Sequence, residues 1–522
     1  MTAALPTECD TGAPSGLARF EVVTAALLIA RLTLAAMLPL GDDEGYYWVW
    51  SRHPALGYYD HPPLVAWLVA LSVQVLGVSL FALRLPFVLL GTATACLLRS
   101  VVGDVTGDHR LARRAALLVQ IVPVHFGLGL LVSPDSPLLF FWLLVVLAAW
   151  RVWGQAAEVT PVHRWRDAWM IGTALGGALT SKYVAILLPV SLAAWCVAAG
   201  RSRAPPALLG ASAVAILLSA PVVWWNAHHD WASFRYQFAS RQREASFQAD
   251  RFASYLGSQA LYLSPLLFGL VAAAGLRVGP WAALRREPGA SFLWWMGAPT
   301  LAAFAFAGAV TSFKPNWLAP GYLTMLPLAL RRVDRWMQRA PRAARRLERS
   351  ASAVALASVV LVTAHALRPF VPLPHGADPT QDMRGWPVAA AWAERAASDL
   401  CAHEPALAPS PFFAAGRYQN AARLEFHLPG NPPVVCLNPG RDAYDDWQDL
   451  SALRGRDFVF MGTSRFSTPL SGLLPCGPTG HSTSCARRRA RERRTSSLSV
   501  RPNGFEDVPP GTPGSARSHV YP

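Results

Sequence analysis

Residues 41–63 read GDDEGYYWVWSRHPALGYYDHPP. Three carboxylates, Asp42, Asp43 and Glu44, are followed by Tyr46, Tyr47, Trp48, Trp50, Tyr58 and Tyr59, and the stretch closes on Asp60-His61-Pro62-Pro63. Long apolar runs flank it on both sides. Carboxylates at the end of a membrane span are expensive to desolvate and mark functional sites by default. Tyr and Trp favour the headgroup level, where one end of the ring is apolar and the other wet. The plain alternative is a solvated acidic loop with an aromatic belt.

Working outward, the apolar runs set the class. The chain of 522 residues is 52% hydrophobic and only 15% charged, and its apolar residues come in blocks of spanning length, about 20 residues each. The expected fold is therefore mainly α: a polytopic membrane helical bundle with external juxtamembrane helices and a small C-terminal α/β domain. Residues 1–16 read as a polar cytoplasmic leader, and the first block, Leu17–Leu40, is too long for a cleavable signal.

The net charge of +15 does not point to nucleic acid, because the basic residues sit in short loops between apolar blocks, where they set topology. Treating 64–79 as a juxtamembrane helix that does not cross puts Arg110, Arg113, Arg114, Arg164, Arg166, Arg201, Arg203, Arg277, Arg285 and Arg286 on one side. The arginines at 331, 332, 335, 339, 342, 345, 346 and 349 join them. The remaining expected spans are 81–102, 115–132, 137–152, 168–180, 184–199, 206–225, 255–276, 290–310, 318–330 and 351–370, which with the first block makes about eleven. Asp43, Glu44, Asp60, Asp135, Lys182, Lys314 and the 226–251 loop then gather on the external face.

The expected domains are a transmembrane region at 17–372, an extracytoplasmic α/β domain at 373–470 and a disordered tail at 471–522. PVVCL (433–437) and DFVFMG (457–462) read as short buried strands, and 386–400 and 417–428 as helices. The tail is rich in Arg, Ser, Pro and Gly. The seven cysteines show no metal spacing; Cys401 and Cys436 are the pair that an oxidising compartment would allow to join. Only two of 47 basic residues are lysines, Lys182 and Lys314. Ammonium and guanidinium are not interchangeable at a phosphate or an ion pair, so these two positions stand out.

The stretch DEGYYWVWSRHPALGYYDHPP resembles the first external loop of the polytopic family 39-type (GT-C) glycosyltransferases. That superfamily contains the protein O-mannosyltransferases and the aminoarabinose transferase that modifies lipid A. The resemblance continues in SPDSPLLFFW (133–142), SKY (181–183), WWNAHHDWASF (224–234), KPNW (314–317), GW (385–386) and RYQNAARLEFHLPG (417–430). It implies an inner-membrane enzyme that moves a sugar from a polyprenyl-phosphate carrier to an acceptor hydroxyl, on a lipid, glycan or protein, at the extracytoplasmic face. The partners expected are that donor, that acceptor and the bilayer, with no nucleic acid.

Displacing a phosphate from an anomeric carbon needs a base for the incoming hydroxyl and positive charge for the leaving oxygens. Asp43 matches the family's catalytic aspartate and is the expected general base. Glu44 and Asp42 either support it or are solvated. Asp135 is a site residue by the resemblance or a helix N-cap by its own chemistry. Lys182, Arg241 and Arg243 are the expected contacts of the donor phosphate, with His61 as a phosphate contact or a structural residue. Tyr47 and Tyr59 are further expected substrate contacts, and Trp48, Tyr58 and Tyr59 stack on sugar or pack on lipid. The sequence makes no cofactor certain; the Asp60-His61 pair is the candidate for a divalent cation, with Asp60 as its ligand, or is structural.

Two other readings compete. A transporter or flippase of a lipid-linked sugar would carry ionisable groups at mid-membrane on broken helices, often in two related halves, whereas these carboxylates sit at span ends. An envelope scaffold acting through 373–470 has no motif to recommend it.

Overall fold

The computed structural model describes residues 13–154, 161–200, 207–238, 246–278, 287–311, 313–373, 378, 380–403, 411–453, 456–463, 497–501 and 504–505. The chain divides into two compact units. One comprises residues 1–38 and 54–369, the other residues 39–53 and 370–522.

The first unit is helical. Its elements are α1 (Ala13–Met37), then, beyond a helix α2 (Asp42–Arg52) that belongs to the second unit, α3 (Leu64–Leu76), α4 (Leu80–Thr106), α5 (His109–Ile121), α6 (Pro123–Leu128), α7 (Asp135–Ala149) and α8 (Pro161–Ser181). There follow α9 (Leu187–Ala198), α10 (Ala207–His228), α11 (Ala232–Phe238), α12 (Ala249–Leu263), α13 (Pro265–Val278), α14 (Pro288–Val310), α15 (Ala319–Met337) and α16 (Pro341–Leu367). Among the described residues six helices are long and apolar enough to cross a bilayer: Gly16–Met37, Leu80–Thr106, Asp135–Gly154, Leu208–His228, Pro288–Val310 and Pro341–Leu367. Ala249–Leu263 and Pro265–Leu276 make a seventh only if their 107° bend is counted within one span.

Several expectations are revised here. The span expected at 115–132 is divided at Pro123, which opens α6; proline disfavours a helical residue before it and lacks the N–H that would continue the ladder. The helix α1 begins at Ala13, inside the expected leader, whose residues 1–12 lie outside the described ones. Residues 42–52 form a helix rather than a loop.

Local chemistry explains the turns that order these helices. Gly107 ends α4 at φ 68°, a left-handed conformation that glycine takes without penalty. Asp108 then caps α5, accepting from the Leu111 N–H at 2.8 Å. Close crossing is set by small residues: a Cβ on Gly172 of α8 would lie 2.3 Å from the Ala211 carbonyl of α10, the contact that small residues permit between membrane helices. Basic helix ends find carboxylates, with Arg114 2.6 Å from Asp334 and 2.7 Å from Glu348. Buried Arg84 donates to the Ala35 and Leu38 carbonyls at 3.0 and 2.7 Å. It thereby satisfies the open C-terminal end of α1, just before the acidic stretch.

In the second unit, α2 accompanies α17 (Trp386–His403), α18 (Tyr418–His427) and a sheet. The strands are β1 (Phe412–Ala415), β2 (Val434–Cys436), β3 (Phe458–Thr463), β4 (Ser497–Arg501) and β5 (Gly504–Phe505), in the order β2-β1-β3-β4-β5. The first four pair in parallel and β5 is antiparallel to β4. Strands β4 and β5 fall within the tail expected to be disordered; its other residues lie outside the described ones. Cys401 and Cys436 are free thiols, so the pairing considered above is not made. Cys436 is instead buried against the Asp442 carboxylate at 3.4 Å.

Candidate active site

Three motifs far apart in sequence meet in the first unit. Asp135 opens α7 and is 1% exposed. Its carboxylate accepts two hydrogen bonds of 2.8 Å from Lys182 Nζ, one at each oxygen. Asn316 Nδ2 donates to Oδ2 at 2.7 Å, and Ser133 Oγ donates to the same atom at 3.1 Å. Lys182, 2% exposed, also lies 4.9 Å from the ring centre of Trp317. An ammonium and a carboxylate taken this far from water are held only because each finds its counter-charge and further hydrogen bonds. Asp135 is the first helical residue, and its side chain turns to Lys182 and Asn316 instead of capping the helix. Gln259 steadies the KPNW turn: it donates to the Pro315 carbonyl at 3.2 Å and accepts from the Tyr322 hydroxyl at 2.9 Å.

Beside this pair, the SKY and WWNAHHDWASF segments are joined. The Tyr183 hydroxyl lies 2.7 Å from Ser233 Oγ, and Asn226 Oδ1 accepts from the Phe234 N–H at 3.3 Å. The 54–63 half of the acidic-aromatic stretch packs on the same segment. Trp225 lies against Gly57, Tyr59 is 4.7 Å from Tyr236, and Gln237 Nε2 donates to the Asp60 carbonyl at 2.6 Å. Asp60 and His61 are half-buried. Among the described residues no three His, Cys, Asp or Glu side chains form a metal set. His228 and His229 engage the Trp224 and Trp225 carbonyls at 2.9 and 2.7 Å. Arg241 and Arg243 lie outside the described residues.

The acidic triplet stands in the second unit, in the first turn of α2. Glu44, 3% exposed, accepts from the Gly41 N–H at 2.8 Å and so closes the helix start. Asp43, next to it, is half-buried. Asp42 is 2.8 Å from the guanidinium of Arg423 on α18. Burial pushes the Asp42 carboxyl above its ordinary value, against the opposing pull of Arg423. At the other end of α2, Arg52 meets Glu425 at 2.5 Å. Between the ends, Tyr46 packs on Tyr418 at 4.3 Å and Trp48 on Phe426 at 5.1 Å.

This arrangement corrects the reading of the aromatics. Tyr47, Trp48, Trp50 and Tyr58 are 5%, 1%, 0% and 1% exposed, so they are protein core and neither a lipid belt nor open sugar platforms. Tyr47 stacks edge-on with Trp50 at 5.1 Å, and only Tyr59 of the expected ring contacts is half-buried. Asn316, Arg423, Arg52 and Glu425 were given no role on sequence grounds. All four lie inside the quoted motifs, and a polar or charged residue next to apolar ones was the available signal.

Residues 60–225 match the family described as dolichyl-phosphate-mannose-protein mannosyltransferase. The fold agrees with that of ArnT from Cupriavidus metallidurans, with a TM-score of 0.59 at 16% identity over 94% of this chain and 93% of that one. In this match and in its fold the chain resembles the GT-C-type membrane glycosyltransferases, and it is mainly helical and multi-pass.

Among individual proteins it is 25% identical to the lipid A galacturonosyltransferase RgtD of Rhizobium johnstonii, over 55% of this chain and 59% of that protein. It is equally 25% identical to an undecaprenyl phosphate-alpha-4-amino-4-deoxy-L-arabinose arabinosyl transferase of Pseudomonas fluorescens, over 58% of each. The chain thus spans less than two thirds of the length of the curated relatives it matches. The same Cupriavidus ArnT bound to undecaprenyl phosphate aligns with a TM-score of 0.59 at 16% identity, over 86% of this chain and 90% of that one.

Proposed function

We propose that this chain is a glycosyltransferase of the inner membrane, working at the extracytoplasmic face, which moves a sugar from a polyprenyl-phosphate carrier to an acceptor hydroxyl. Asp43 is the general base. The acceptor oxygen bonds to the anomeric carbon as the carbon–oxygen bond to phosphate breaks. The hydroxyl proton passes to Asp43, and the electron pair leaves with the phosphate. Phosphate departs readily, so a second carboxylic acid, as hydrolytic glycosidases use, is not needed.

The observation that carries the reading is the meeting of SPD, SKY and KPNW at the buried Asp135–Lys182–Asn316 centre. A transporter would carry its ionisable groups at mid-membrane on broken helices, whereas Asp135 opens α7. The relatives named above suggest a lipid-A-type acceptor and a uronic acid or aminopentose donor. His61, Tyr59, Arg241 and Arg243 are the residues proposed to face the donor.

The test is transfer in purified, detergent-solubilised protein from an undecaprenyl-phosphate sugar to lipid A. Asp43→Asn keeps the size of the side chain and removes its charge, so turnover is expected to fall ~10²-fold or more with donor affinity little changed. Near-normal transfer by that variant would move the role to another carboxylate. Donor movement across a vesicle bilayer with no glycosyl product would replace the reading with a flippase.

A further inference from the structure

The structure assigns Arg423 as the positioning residue for Asp43: it grips Asp42 and so holds the first turn of α2 in a single arrangement. The assignment rests on Asp43 being the base.

Arg423 is 2% exposed. Its Nη1 donates to the Asp42 carboxylate at 2.8 Å and also to the Asp382 carbonyl. Its Nη2 donates to Asn420 Oδ1 at 3.0 Å, and Nε to the Gln419 carbonyl at 3.2 Å. The flat of the guanidinium lies 4.4 Å from the Trp386 ring centre. Every nitrogen is engaged and one face is covered, so this side chain has one orientation to offer. Asp42 is bound to an anchored fork.

The first turn is where α2 needs such an anchor. Initial N–H groups of a helix have no intrahelical acceptor, and this turn is the softest part of the element. Three adjacent carboxylates crowd into it and repel one another. Glu44 answers by accepting from Gly41, and Asp42 by pairing with Arg423; Asp43 stands between them. The Asp42, Asp382 and Asp43 charges all act on Arg423. The fit is close: a Cβ on Gly45 would lie 3.3 Å from Arg423 Cγ, so glycine at 45 lets the arginine stem lie against the backbone directly after the triplet. With α18 held along α2 by Tyr418, Phe426 and the Arg52–Glu425 pair, the remaining freedom is at the acidic end, which Arg423 takes up. A carboxylate displaced by an ångström from its substrate loses on the order of 10²-fold in rate.

The test uses full-length protein with the undecaprenyl-phosphate sugar donor, comparing Arg423→Met, Arg423→Lys and Asp42→Asn, alone and with Asp43→Asn. Arg423→Met is expected to lower kcat ~10- to 10²-fold with donor KM within about 3-fold. Arg423→Lys should recover part of the loss, because it keeps charge without the fork. On the Asp43→Asn background, Arg423→Met should cost nothing further. If Arg423→Met does not fold, Asp42→Asn cuts the same tie from its half-exposed end and is expected to give the same kcat loss.

Folded Arg423→Met or Asp42→Asn enzyme with unchanged kcat overturns the proposal. So does a loss that multiplies with Asp43→Asn, which would mean that Arg423 acts elsewhere. A fully active Asp43→Asn protein is a separate outcome: it removes the base reading itself.

Discussion

Lys182 is the residue whose chemistry is most constrained. Its ammonium is buried, shared between both oxygens of an equally buried carboxylate, and covered by Trp317. Removing one member of such a pair leaves the other charged and unmatched, which costs about 3–5 kcal/mol. Lys182→Met is therefore expected to lower the thermal midpoint sharply. The double variant Lys182→Met/Asp135→Leu should regain much of the loss, because it removes both charges together. Thermal unfolding of the detergent-solubilised protein checks this, and a double variant no better than the single would show that the pair is not what stabilises the site. Asn316→Ala removes one neutral donor to Asp135 and should cost about 1–3 kcal/mol, clearly less than the lysine.

At the scale of the element, α2 is held at both ends by α18, and the Arg52–Glu425 end responds to pH. Burial raises the Glu425 carboxyl from 4.5 to about 7, outweighing the Val434 N–H and Arg52, which favour the charged form. Arg52 is too weak to reverse this because its side chain is 34% exposed and its charge is partly screened by solvent. The folded state thus holds a proton that the unfolded chain releases near pH 4.5. Stability from this group is present below that value and falls as pH rises through about 7. Hydrogen exchange in peptides covering 42–52 and 418–427 should quicken, beyond the intrinsic rate change, between pH 5 and pH 8. Glu425→Gln, which cannot ionise, should flatten that dependence; an equally steep profile in the variant would place the titrating group elsewhere.

At the scale of the whole molecule, arginine-dense helix ends set the orientation proposed for the chain. The positive-inside rule puts Arg110 and the 331–349 run in the cytoplasm and Leu56 outside. Leu56 is 43% exposed and Arg110 is also exposed, so cysteines at either position are open to reagent. Leu56→Cys should react with an impermeant maleimide in intact cells, and Arg110→Cys only after permeabilisation. The reverse pattern would invert the topology and take the proposed external reaction with it.

What could be read from the chain alone were its local properties. Spans such as Leu80–Thr106 and Pro288–Val310 announce themselves because a bilayer demands continuous apolar residues and a self-satisfied backbone. The short arginine loops, the strands at 434–436 and 458–463, and the motif residues Asp43, Asp135 and Lys182 are likewise visible in their own neighbourhoods. The break at Pro123 was also local, but the apolar run on both sides of it hid it.

Pairing was decided by tertiary structure. Lys182 was read as a phosphate contact and is found on Asp135, 47 residues away; Asn316 joins them from 181 residues away, and Arg423 reaches Asp42 across 381. No pattern in sequence states which buried donor will meet which buried acceptor, because that depends on where packed helices bring their side chains. The aromatics of α2 show the same limit. Their amphipathic rings suit a membrane interface and a protein core equally well, and α18 lying along them made them core.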